Sequence, residues 1–301
     1  MRVTTVLGDI DADQLGTVMP HEHLIIDRYS VSKDFNLRLS EVPLAEQELH
    51  AYKVAGGATV VELTPPNIGR DPEALCQISQ STGVNIVMGC GWYHEEYYQP
   101  DNYRKSTGTL AAELITEIRD GAAGTGIRPG IIGELGTGDI ISPAEERAFR
   151  AAARAQLATG LTISTHAHAS YVGAEQLALL QEEGVPSERI VIGHLDSVID
   201  PDYHESIARS GAWIQFDLIR SPHEWEIQKR LHLIGEVFKR GFAGQLLLSQ
   251  DICMKSHLKA YGGIGYDWLL ELFVSRLRDA GLADDDVQLL LVENPQKMLA
   301  A

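Results

Sequence analysis

His21 and His23 stand one residue apart in the run Gly16 to Asp27. On an extended strand the side-chain period is two, so both imidazoles point to one side. There they could share one divalent cation. Alone, such a pair is more often a couple of structural histidines. Further donors change that balance. Apolar runs end in His166 (Thr162-Ile163-Ser164-Thr165-His166), in His194 (Ile190-Val191-Ile192-Gly193-His194) and in Asp251 (Leu248-Ser249-Gln250-Asp251), and Glu134 lies within Gly130 to Gly136. Four imidazoles and two carboxylates from separate strands suffice for a two-metal site with positions left for water.

The elements that must position these donors alternate along the chain. Val3 to Leu7 reads as the first arm of a short hairpin turning at Gly8-Asp9. The histidine run follows, then a polar connection from Asp27 to Ser40 and a helix marked by Leu44, Leu49, Tyr52 and Val54. Strands are expected at 58–64, 85–91, 130–136, 161–166, 189–194, 212–216 and 245–249. Helices are expected between them, with closing helices at 224–240 and 266–280. Asp71-Pro72 and Asp200-Pro201 place an N-cap before proline at the first helical position. Ser142-Pro143-Ala144-Glu145 fits a capping box. Eight strand-then-helix units with nearly continuous apolar strands predict an α/β fold, a (β/α)8 TIM barrel preceded by a short hairpin, as one domain over residues 1–301. In such barrels the strand C-termini carry the active site, and all six donors fall there. A doubly wound open sheet is the other architecture, but Val6 to Gly16 contains no GxGxxG.

Composition narrows the function. The 301 residues are 44% hydrophobic, enough for a large core, and carry 25 Lys+Arg against 42 Asp+Glu. A net charge of −17 disfavours nucleic-acid backbones and anionic membranes. Cys76, Cys90 and Cys253 are scattered, with no CxxC, so neither a disulfide framework nor a thiolate zinc site is indicated. Met1 to Asp9 lacks an apolar signal core and no run reaches membrane-spanning length. A cytoplasmic protein acting on a small molecule is expected.

The motifs taken together carry a resemblance. Gly-Thr-Val-Met-Pro-His-Glu-His, then GELGTG, STH, GHLD, SQD and Lys255 to Lys259, with Gly262 to Asp267 and Val292 to Pro295, resemble the phosphotriesterase family of the amidohydrolase superfamily from about Thr5 onward. The resemblance implies a distorted (β/α)8 barrel and two divalent metals bridged by hydroxide, zinc first and manganese, cobalt or iron as alternatives. It implies that His21, His23 and Asp251 hold the buried metal, that His166 and His194 hold the exposed one, and that a fourth-strand residue bridges them. In the best-known members that bridge is a carboxylated lysine. No lysine occurs between Lys105 and Lys229 here, so Glu134 is the available bridge, as in the glutamate-bridged branch. Asp251 would also take the proton of the attacking water as general base.

The expected reaction is hydrolysis of an ester, lactone or amide-type carbonyl, with weak phosphotriesterase activity beside it. A TatD-like nuclease and a non-catalytic metal-holding barrel are the alternatives. Tyr93, Arg220 and Met254 are candidate substrate contacts: Tyr93 as a wall or donor, Arg220 as partner of an anionic group, Met254 as an adaptable apolar wall. Glu22 points away from the ligands and reads as structural. His94 and His168 read as supporting or surface groups, and no chemistry is assigned to His257. A homodimer is expected from the resemblance alone.

Overall fold

The computed structural model of the chain describes residues 1–300. Eight parallel strands follow one another around a nearly closed barrel: β1 (Val18–Glu22), β2 (Thr59–Glu62), β3 (Asn85–Cys90), β4 (Ile131–Gly136), β5 (Ile163–His166), β6 (Ile190–Gly193), β7 (Trp213–Phe216) and β8 (Leu246–Leu248). The expected (β/α)8 barrel is observed. Its outer helices are α1 (Val42–Val54), α2 (Pro72–Thr82), α3 (Thr107–Asp120), α4 (Pro143–Thr159), α5 (Val172–Glu182), α6 (Pro201–Arg209), α7 (Glu224–Lys239) and α8 (Val274–Asp279), the last preceded by a wide turn at Leu269–Phe273. The predicted caps form. Asp71 accepts from Ala74 N, Asp200 from Asp202 N and Tyr203 N, and Ser142 and Glu145 cap each other. Among the described residues no helix is long and apolar enough to cross a membrane.

The N-terminal hairpin differs in register from expectation. Its strands are Arg2–Thr5 and Gly8–Asp11, so the chain turns at Val6-Leu7 rather than at Gly8-Asp9. The Thr5 hydroxyl makes that turn, accepting from Leu7 N at 3.2 Å and donating to Gly8 O at 2.7 Å, while Val6 N bonds Ile86 O on β3.

Inside the barrel, Val18, Val61, Val87, Ile131, Val191, Trp213 and Leu247 pack with Met298 into one apolar floor. Regular alternation would continue this inward face at every second residue. His21, Glu134 and His194 lie an odd number of residues above the floor, so on regular strands they would point outward. Three irregularities turn them in. The register shifts in β1 between Met19 and Glu22 and in β4 between Ile132 and Leu135, and His194 is left-handed with φ 58°. Gly133 permits the β4 shift: its φ is 144°, and a Cβ there would sit 2.4 Å from Ser164 O.

The seam between β1 and β8 has few ladder bonds, and polar groups from the rim close it. Asp251 N donates to His21 O at 3.1 Å and His23 N to Ile252 O at 3.2 Å. Glu22, fully buried, accepts from Ser249 Oγ, Gln250 N and Ile252 N at 2.7–2.8 Å. Burial pushes its carboxyl pKa up to about 7, against the pull of these donors.

Candidate metal centre

Glu134 is the hub of the rim. Its Oε1 lies 3.5 Å from His23 Nε2. Its Oε2 lies 3.4 Å from His21 Nε2, 3.0 Å from His166 Nδ1 and 3.6 Å from His194 Nε2. Asp251 Oδ1 faces His23 Nε2 at 3.3 Å, and His166 Nδ1 meets His194 Nε2 at 2.8 Å. All six predicted donors therefore converge at one end of the barrel. Two groups are tight enough to hold a cation, His21 with His23 and Asp251, and His21 with Glu134 and His194. His166 completes the second group's edge through Glu134 and His194.

The donor set suits divalent cations. His21 Nε2 is buried without a well-formed hydrogen bond, a costly arrangement for an imidazole that serves packing alone. His194 and Asp251, at φ 58° and 48°, are held in the left-handed region, which costs about 1–3 kcal/mol each for residues other than glycine. Strain of that kind persists where the surroundings impose a geometry.

Behind the donors lies a layer of buried acceptors that orients them. Asp217, at the end of β7, stands 2.6 Å from His194 Nδ1 and 2.9 Å from His21 Nδ1, and also accepts from His194 N. Asp196 in turn accepts from Asp217 N and Leu218 N and pairs with Arg230 at 3.2 Å. On the other side Thr64 Oγ1 lies 2.8 Å from His23 Nδ1 and donates to Glu62 Oε1 at 2.6 Å. Because Thr64 spends its hydroxyl hydrogen on Glu62, it accepts from His23 Nδ1. Each ring so anchored turns its Nε2 lone pair toward the centre. Sequence reasoning assigned no role to Asp217, Thr64 or Glu62. The strand-end rule that found the other donors also selects Asp217.

The charges follow from these neighbours. Burial alone would raise the Glu134 carboxyl, but the imidazoles, His166 foremost, outweigh it and hold it well below the usual range. Burial likewise opposes ionisation of Asp251, and Arg220 foremost reverses the balance. Burial lowers His166 to about 3, helped by His194. For His194 burial is overcome by Asp217, which lifts it to about 9, and His21 is raised well above its ordinary value by the same carboxylate.

The candidate substrate contacts surround the centre unequally. Tyr93 is buried at the end of β3, its ring edge-on to His166 with centroids 5.1 Å apart. Arg220 binds the Asp251 carboxylate and carbonyl through Nη1. Met254 sits further out, its sulfur 3.6 Å from Asn36 Nδ2 in the loop after β1. His94 lies edge-on to His166 and His168 tilted beside it, at centroid distances of 4.9 and 6.1 Å, and His257 Nδ1 accepts from Cys253 N at 3.4 Å.

Comparison with known proteins gives the same frame. The model of the Phosphotriesterase family matches residues 1–299. The phosphotriesterase homology protein of Escherichia coli (strain K12) is 37% identical over 286 residues, covering 95% of this chain and 98% of that protein. Its crystal structure superposes with a TM-score of 0.92, covering 95% and 99%. An N-acetyltaurine hydrolase of Tetraodon nigroviridis is 30% identical, covering 99% of this chain and 97% of the relative. A lactonase from Listeria monocytogenes is 28% identical with a TM-score of 0.93, covering 100% and 99%.

Proposed function

Since this chain belongs to the phosphotriesterase family and is a hydrolase, we propose that it cleaves a small ester, lactone or amide-type carbonyl at a binuclear metal centre. The observation that carries the reading is the placement of Glu134, whose two oxygens face different histidines. A carboxylate so placed can span two cations without any modified lysine. His21, His23 and Asp251 would hold one of them, and His166 with His194 the other. Bound there, divalent cations, zinc first, supply Lewis acidity and a water acidic enough to attack near neutral pH.

The chain's own residues do the rest. Asp217 and Thr64 keep the imidazoles in the tautomers that present Nε2. Arg220 keeps Asp251 ionised, the form that accepts the proton of the attacking water and passes it to the leaving group. Tyr93 walls the centre beside His166 and limits water there. Relatives named as a lactonase and as N-acetyltaurine hydrolases support a carbonyl substrate, and the acidic net charge tells against the nuclease alternative. We propose a weak phosphotriesterase activity as a side reaction, and a homodimer in the cytoplasm.

The test pairs metal counting with hydrolysis. Wild type loaded with zinc or manganese should cleave at least one of an ester, lactone, N-acyl amide and phosphotriester panel. Glu134→Ala should lose metal and activity together, and Glu134→Gln should weaken both. Full activity in Glu134→Ala with two metals bound refutes the bridge. A panel without any hydrolysis favours the metal-holding barrel instead.

A further inference from the structure

The loop after β1 brings a second arginine to the metal centre. Arg28 precedes the short helix Tyr29–Ser32, and its backbone N bonds Leu37 O at 3.1 Å. Its side chain turns inward. Nη2 lies 3.5 Å from both the carbonyl oxygen and the sulfur of Cys253, and Nε is buried with no hydrogen-bond partner. Arg220 reaches the same sulfur from β7, with Nη1 at 3.5 Å. Two guanidinium groups thus converge on one thiol. A thiol sulfur is a weak acceptor and no counter-ion for two cations.

The pairing of these cations is unequal. Arg220 has the Asp251 carboxylate, whereas among the described residues Arg28 has no carboxylate within ion-pair distance. The buried Arg70 and Arg230 each have an acidic partner, Glu117 and Asp196. An unpaired, largely enclosed guanidinium is costly to keep, and its unmatched fork suits a planar or tetrahedral oxyanion. Arg220 Nη1 touches both the Cys253 sulfur and the Asp251 carboxylate, so a group held by Arg28 at that sulfur would lie beside the centre.

We propose that Arg28, with Arg220 next to it, receives an anionic oxyacid group of the substrate, a carboxylate or sulfonate remote from the scissile carbonyl. The natural substrate is then an acidic acyl compound. This rests on the hydrolase reading above. Arg28 sets specificity, and the bond-breaking residues remain those of the metal centre.

The experiment compares two esters of matched length, p-nitrophenyl valerate and mono-p-nitrophenyl glutarate, on the metal-loaded protein, with calorimetric binding of glutarate alongside. Wild type should favour the anionic ester by about tenfold or more in kcat/KM. Arg28→Met should erase that preference through KM and weaken glutarate about tenfold, and Arg28→Lys should restore part of both. Equal use of the two esters by wild type, equal losses on both in Arg28→Met, or glutarate binding that ignores Arg28 would each overturn the inference. Arg28-dependent glutarate binding without hydrolysis of either ester would support the anion site and strike the hydrolase reading alone.

Discussion

Asp217→Asn removes one charge while leaving the shape of a fully buried side chain intact. The carboxylate now accepts from His194 N and faces the Nδ1 atoms of His194 and His21 at 2.6 and 2.9 Å. Asparagine offers one carbonyl oxygen and one amide donor in place of two acceptors. The oxygen is best kept by His194, which approaches with both its backbone N–H and its ring. The amide hydrogens then face His21 Nδ1 and drive its proton to Nε2, the atom that points at Glu134. His21 is lost as a ligand, and it belongs to both cation-sized groups of donors. Loss of one such anchor weakens metal binding by about 10–100-fold, which is about 1.4–2.8 kcal/mol. Competition against a zinc chelator measures this directly, with circular dichroism to confirm the fold. The cation held with His23 and Asp251 should weaken more than the one held with His166. Zinc affinity within twofold of wild type, in a folded Asp217→Asn protein, would refute the orienting role.

Thr64→Val keeps the branched shape but breaks the link from His23 Nδ1 to Glu62; it should weaken metal binding by about tenfold or more and lower stability by about 1–3 kcal/mol in urea denaturation. Gly133→Ala should cost about 1–3 kcal/mol, because its Cβ would press on Ser164 O at positive φ. Gly160→Ala, at φ 79° with open space around it, should cost only about 1 kcal/mol in the same assay. Metal loading should release protons. His194 titrates at about 9 in the metal-free protein and must be neutral to act as a ligand. Apparent zinc affinity should therefore rise with pH through about 9, and calorimetry in buffers of different ionisation heat counts the protons.

The barrel was legible because its signals are local. Apolar runs, proline after a capping residue and a capping box each act over a few residues, and they place the strands and helices correctly. The meeting of the six candidate donors was legible because strand ends are where side chains can meet. What alternation alone misplaces is the facing of His21, Glu134 and His194. Their inward turn depends on two register shifts and a left-handed residue, and these arise from packing between strands, notably the approach of Gly133 to Ser164. The hairpin turn was misread for a similar reason: Thr5 and the docking of Val6 on Ile86 outweigh the turn preference of Gly8-Asp9. Asp217 stands at a strand end and could have been found by the same rule, whereas Thr64 and Arg28 went without a role because an orienting or receiving group is defined by its neighbour in space. Nothing in their spacing along the chain marks them.

The seam between β1 and β8 bears on how the protein matures. His21 and His23 leave the ribosome long before Asp251, which faces them across the seam. Glu22 finds its three donors only then. A growing chain that stops before β8 has the two histidines on an open edge, without the carboxylate and without the bonds that fix their strand. Cation capture at that group would therefore wait until β8 and Asp251 have been made. Once made, it would tie His21 and His23 to a residue far along the chain, as a long-range cross-link would, and close a very long loop. Truncation within the last strand should abolish loading even where the first seven strands have formed.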